Sequence, residues 1–230
     1  NNTEDALFTL AEMRRADAVH VRCPANISLL ALALLPAARR PAPRWVKYAG
    51  NWRPDGSEPW SYGLQRRWLA ANAHRGVVTV NGRWPGQPPH VHTFHNPSLT
   101  EDELAAGRAA ATGKRLSLPL ELLFVGALTD GKGAGRALQV AAALQRQGVA
   151  YRLHMLGDGP ERPRYEAWAS AHGLREVIFH GWVSREAVGR FDALAHFILL
   201  PSQSEGWPKV LSEAMAYGAV PIASAVSSIP

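Results

Sequence analysis

Five short apolar runs divide the second half of this chain: "ELLFVGAL" (121–128), "YRLHMLGDG" (151–159), "VIFHGWV" (177–183), "HFILLPS" (196–202) and "AVPIAS" (219–224). Helix-length stretches at 133–147, 160–172, 185–194 and after Pro208 separate them. Strands buried on both faces read as continuous apolar runs, and strands alternating with helices define a parallel sheet. The first half repeats the pattern less cleanly. Strands are predicted at "DAVHVRC" (17–23), "RWVKYAG" (44–50), "GVVTVNG" (76–82) and "HVHTFHN" (90–96), with helices near 27–38 and 61–76. A helix over 99–111 is announced by Thr100 as N-cap and Glu103 three residues on. The polar, proline-interrupted "TGKRLSLPL" (112–120) reads as a linker, which gives an α/β chain of two domains, residues 1–114 and 115–230.

Composition narrows the partners. Cys23 is the single cysteine, which removes an intramolecular disulfide and a cysteine metal cage and favours a reducing compartment. The net charge of +6 favours acidic ligands. The basic residues are scattered and no aromatic residues interleave with them along a strand face, so nucleic acid is not expected as a partner. The longest apolar stretch, "ISLLALALLPAA" (27–38), is shorter than a spanning helix and holds Pro36. The chain starts without an initiator methionine and stops in "ASAVSSIP", so it is expected to be a piece of a longer protein.

The loops after the predicted strands carry the candidate chemistry, since ligands of open parallel sheets bind outside the strand carboxyl ends. "VGALTDGKGAG" (125–135) offers Gly126 and further glycines for close backbone approach and Lys132 as a charge for phosphate. Its spacing matches neither a Walker loop nor a dinucleotide fingerprint, and alone it reads rather as a glycine-rich helix entry with a solvated lysine. In "GDGPER" (157–162), Pro160 suits the first position of a helix and Asp158 caps a turn. In "SEGWPKVLSEAM" (204–215), Gly206 permits close approach, Pro208 opens a helix, and the amides of Lys209 and Val210 form an anion site at its N-terminus. Glu205 hangs at that mouth and Glu213 follows eight positions later.

A glycine/lysine loop, then "GDGPER", then E-x7-E before "AMAYGAVPIAS" resembles the C-terminal domain of GT-B glycosyltransferases, most closely the retaining family 4, or "glycosyl transferases group 1". The resemblance covers residues 121–230 and is loose before them. It implies two Rossmann-like domains facing a cleft, both incomplete here: the first strand and glycine-rich turn of one and the last strands and closing helix of the other are expected to be missing. It implies transfer of a sugar from a UDP-, GDP- or ADP-sugar to a carbohydrate or lipid-linked acceptor, with retention, without a metal or other cofactor, in the cytoplasm and with peripheral contact to anionic membrane. By similarity, Lys132 contacts the diphosphate, the backbone of 181–184 around Val183 borders the base, Lys209 and Val210 approach the diphosphate, Glu205 faces the sugar and Glu213 holds the ribose hydroxyls. Glu205 and Lys132 are the implied catalytic residues.

Two departures stand against this. Ala127 occupies the position where the family commonly has an arginine, with Lys209 or Arg136 as the available substitutes. Ala49-Gly50 replaces a His-Gly on the acceptor side, so His20, His92 and His95 remain candidates with no transferred role. The alternatives are a non-catalytic sugar-nucleotide-binding relative, which Ala127 favours, and an epimerase of the same fold.

Overall fold

The computed structural model describes residues 2–38, 43–54, 58–96, 98–226 and 229. It holds two separate parallel sheets. The first contains β1 (Val19–Cys23), β2 (Arg44–Tyr48), β3 (Val77–Asn81) and β4 (Val91–Phe94), in that spatial order. Every neighbouring pair is parallel, with Val21 opposite Val46 and Val46 opposite Val78. The crossovers are α2 (Asn26–Leu34) and α3 (Trp60–Ala70), and α1 (Asn2–Arg15) precedes β1. The core is built from the inward valines of the strands with Leu32, Leu35, Tyr48 and Leu69, all nearly inaccessible. Gln65 is fully buried on α3. Its amide donates to the Ala25 carbonyl at 3.0 Å and its oxygen accepts from Ser28 Oγ at 3.3 Å, which fixes α3 to the start of α2.

The second sheet contains β5 (Leu120–Val125), β6 (Tyr151–Leu156), β7 (Val177–Gly181), β8 (Phe197–Leu200) and β9 (Val220–Ala223), ordered β7-β6-β5-β8-β9 and parallel throughout. Alternation along β5 explains why helices cover both faces. Leu122 and Phe124 point into one core with α5 (Ala134–Arg146) and α6 (Arg162–Ala171). Leu123 points into the other, with Ile198 of β8, Ala214 of α8 (Lys209–Ala216) and Phe191 of α7 (Arg185–Leu194). Each such buried leucine or isoleucine contributes about 1.5–3 kcal/mol. On α5 the buried residues Ala134, Ala137, Leu138, Ala141 and Ala142 form one stripe at helical spacing, small enough to seat the helix close to the strands.

Packing divides the chain into residues 1–96 with Glu205–Trp207, and residues 97–204 with 208–230. The division falls earlier than the linker at 112–120. The reason is α4 (Glu101–Gly113), expected with the first domain, which packs on α7 and α8 of the second unit. Gly107 makes that approach close: a Cβ there would stand 2.8 Å from the Ala216 carbonyl oxygen. The capping box on α4 is present as expected, with Glu103 N donating to Thr100 Oγ1 and Thr100 N donating to Glu103 Oε2 at 2.7 Å. Two local expectations shift. Pro160 lies in the turn ahead of α6, whose first turn carries Pro163 instead, and Pro208 is the N-cap of α8 rather than its first residue.

Candidate functional site

The strand order β7-β6-β5-β8-β9 reverses direction between β5 and β8, and the chain leaves both strands at the same edge of the sheet. Such a point is where the loops part and a ligand enters. The loop after β5 carries Gly126 and Lys132, and the loop after β8 leads to Pro208 and the N-terminus of α8.

The two loops are bonded to one another. Gln203 N donates to the Gly131 carbonyl at 2.9 Å, Ser202 Oγ to the Lys132 carbonyl at 3.4 Å, and Arg136 Nε to the Pro201 carbonyl at 2.6 Å. Gly133 sits where they cross, at φ +80, and a Cβ on it would lie 2.1 Å from the Pro201 oxygen. On the other flank, a Cβ on Gly157 would lie 2.0 Å from the Gly126 oxygen. These two glycines serve loop-to-loop contact. Gly126 differs: the nearest atom to its added Cβ is a Phe124 ring carbon at 3.8 Å. The β5 loop is further tied to α6, because Asp130 accepts from Tyr165 Oη at 2.8 Å and pairs with Arg164 at 3.1 Å. Lys132 therefore leaves a loop anchored on both sides, and its side chain is half-buried.

Arg136 does not stand in for the arginine missing at position 127. Its guanidinium is taken up by the Pro201 carbonyl and, at 3.3 Å, by that of Asp130. Lys209, the exposed first residue of α8, is the other candidate cation. Pro208, the N-cap of α8, makes no side-chain cap hydrogen bond, and the amides of Lys209 and Val210 lie in a first turn that offers them no helical acceptor. The Val210 side chain and Val183 of the β7–α7 loop pack on the core beneath.

The two glutamates of the motif have different surroundings. Glu205 is buried, with 8% of its surface exposed, and with Gly206 is grouped in the first unit. A Cβ on Gly206 would lie 2.4 Å from the Ala49 carbonyl oxygen, so the close approach read at this glycine is made by the chain's own backbone. Glu213 lines a small pocket between α4, α7 and α8 with Glu103, Arg185, Asp192 and Tyr217. Its carboxyl is pushed up by burial, against the opposing pull of Arg185 and Lys209. Asp192, only 2% exposed, is pushed up to about 7 by burial and by the Glu213 charge. Glu103 is held down to about 2 by its hydrogen bonds to Arg185.

Glu213 is a candidate from the sequence, and the pocket adds neighbours that the sequence does not mark. Glu103 was legible only as a helix cap, and nothing local marks Arg185 or Asp192. The histidines of the first unit have packing partners: His20 stacks on Trp45 with centroids 4.2 Å apart, and His95 meets Trp207 edge-on at 5.9 Å. His92 is exposed on β4. Among the described residues, no three His, Cys, Asp or Glu side chains are placed to hold a metal ion.

A doubly wound parallel sheet with a lysine-bearing glycine loop and an uncapped helix N-terminus at its switch point is the class of site that receives phosphorylated ligands. The chain belongs to the glycosyl transferases group 1 family, whose pattern residues 115–230 match. It is similar to the lipopolysaccharide 1,6-galactosyltransferase of Salmonella typhimurium, 33% identical over 115 residues, 49% of this chain and 32% of that protein. It is also similar to the GDP-mannose-dependent alpha-(1-6)-phosphatidylinositol dimannoside mannosyltransferase of Mycobacterium tuberculosis, 34% identical over 125 residues, 53% of this chain and 32% of that protein. The fold matches that of Anabaena HepE, crystallised in complex with UDP and glucose, with a TM-score of 0.66 at 15% identity, over 97% of this chain and 63% of that one. The architecture is the α/β fold of GT-B glycosyltransferases. The chain spans about a third of the length of the curated relatives it matches.

Proposed function

We propose that this chain carries the donor site of a glycosyltransferase that moves a sugar from a nucleotide sugar to a carbohydrate or lipid-linked acceptor with retention at the anomeric carbon. The observation that carries the reading is the switch point itself, where the Lys132 loop is bonded to the β8 loop ahead of the open N-terminus of α8. Relatives named for galactosyl and GDP-mannose-dependent mannosyl transfer support the donor class. The base, UDP, GDP or ADP, is left to experiment.

In this reading the barrier is charge separation as the nucleoside diphosphate departs. Lys132 and the amides of Lys209 and Val210 face the developing negative charge, and fixed donors do so without reorganising at the moment of reaction. The electrostatic role needs no bound metal. Gly126 lets the backbone lie against the ligand, Val183 borders the base, Glu205 holds the transferred sugar and Glu213 accepts from the ribose hydroxyls. The domains proposed are an acceptor-side unit and a donor-side unit that carries α4 as well as the residues after the linker, acting in the cytoplasm. A panel of UDP-, GDP- and ADP-sugars tests the class by thermal stabilisation, since a ligand bound to the folded state raises the melting temperature. Proton NMR of the products then reads the anomeric configuration: retention is expected, and inversion contradicts the proposal.

Ala127 supports one second reading, a relative that binds sugar nucleotides without turnover, because the exposed methyl group replaces a bidentate cation. Stabilisation by a donor with neither transfer nor hydrolysis would select it.

A further inference from the structure

Arg185 is the first residue of α7, where a cation opposes the helix dipole and needs a compensating anion. Two carboxylates stand within reach: it hydrogen-bonds Glu103 and meets Glu213 only as a longer ion pair. Its Nε donates to Glu103 Oε1 at 2.6 Å and its Nη2 to Glu103 Oε2 at 2.9 Å, a two-bonded fork. Nη2 also donates to the Ser98 carbonyl. The remaining Nη1 stops 3.9 Å from Glu213 Oε1, beyond hydrogen-bond distance. All of these groups lie in the second unit, and Glu103 reaches the pocket only because α4 packs there.

We infer that Glu103 is a positioning residue of the donor site: by gripping Arg185 in a fork, it holds the guanidinium at ion-pair distance from Glu213, short of a hydrogen bond, so that the ribose diol competes there only with the Ser98 side chain. The inference rests on the donor-site reading above. A guanidinium fully paired with Glu213 occupies the same oxygen lone pairs that the two ribose hydroxyls need. Arg185 is 57% exposed at its side chain and sits on a long flexible stem, so closing the last ångström to Glu213 requires release of the fork and a shift of the Ser98 carbonyl bond. The capping role of Glu103 is separable from this one. Glutamine at 103 keeps an oxygen for the Thr100 amide and gives up the charge that holds Arg185.

The experiment compares the unmodified chain, Glu103→Gln and Glu103→Gln/Arg185→Gln, each titrated with UDP, GDP and ADP and with their 2′,3′-dideoxy counterparts. Glu103→Gln is expected to weaken the ribose-bearing nucleotides on the order of tenfold, the worth of one charge-assisted hydrogen bond, while the dideoxy nucleotides bind as before. The double variant is expected to regain the loss, because the competing cation is gone. A second readout needs no nucleotide: in carbon-13 NMR the Glu213 carboxyl is expected to titrate lower in Glu103→Gln than in Glu103→Gln/Arg185→Gln, both of which lack the Glu103 charge, by more than in Arg185→Gln against the unmodified chain. Equal loss for both nucleotide sets, no recovery in the double variant, or an unmoved Glu213 titration overturns the inference. Failure of the underlying reading looks different, because the unmodified chain would then bind none of the nucleotides or bind ribo and dideoxy forms alike.

Discussion

Gly131 and Gly133 stand two positions apart in the β5 loop and answer to different demands. Gly133 has a positive φ and a carbonyl oxygen where its Cβ would go, whereas an added Cβ on Gly131 meets nothing within 4 Å. Gly133→Ala is expected to cost roughly 1–3 kcal/mol from the backbone alone, with the clash added, and Gly131→Ala to stay within about 0.5 kcal/mol. Urea denaturation of the two variants checks the difference. Asp192 supports a prediction about pH. Its folded-state pKa of about 7 lies above the ordinary carboxyl value, so the folded protein holds this proton where the unfolded chain has lost it. The contribution to stability is full below the unfolded value near 4 and is lost as pH rises to about 7. Asp192→Asn, which cannot ionise, is expected to flatten that fall in denaturation curves taken across the interval. An unchanged slope would show that the carboxyl is not the group responsible.

At the scale of elements, α4 belongs to the second unit. A fragment beginning at residue 98 is therefore expected to melt higher than one beginning at 115, since the shorter one loses the packing of Gly107 on Ala216 and the Glu103–Arg185 fork. Differential scanning calorimetry of the two fragments decides it; equal melting would place α4 outside the unit's stability. This same helix shows where the sequence stops being legible. Its capping box is local chemistry, with donor and acceptor three residues apart, and could be read directly. Its partner was not legible, because nothing in "EDELAAGRAAATG" says that Gly107 meets the backbone of residue 216. The inner strands of the second sheet, β5, β6 and β8, were readable because burial on both faces leaves a nearly unbroken apolar run, whereas β9 keeps its apolar run although Val220 and Ile222 are half exposed at the sheet edge. α1 was missed for the opposite reason: of its side chains from Phe8 on, only Met13 is buried, so no apolar stripe marks it. Of the proposed site residues, Lys132, Lys209 and Glu213 stood out by loop position and spacing. Arg185 and Asp192 did not, because a pocket formed by three helices leaves no periodic trace in any one of them.

For the molecule as a whole, the net charge of +6 and an isoelectric point near 9.9 favour acidic surfaces. No helix among the described residues is long and apolar enough to cross a membrane. Peripheral contact with anionic lipid is expected to appear as partitioning onto phosphatidylserine vesicles at low salt that fades as salt is raised, with neutral vesicles left unbound. Equal partitioning onto both would remove charge as the cause. In the proposed site a nucleoside diphosphate lies at the switch point between β5 and β8, its phosphates against Lys132. Titration calorimetry of Lys132→Ala and Glu205→Gln against a nucleoside diphosphate and its sugar nucleotide tests it most directly. Lys132→Ala is expected to weaken both ligands, by about 1.5–3 kcal/mol, and Glu205→Gln only the one that carries the sugar. Unchanged binding of both ligands to Lys132→Ala would contradict it.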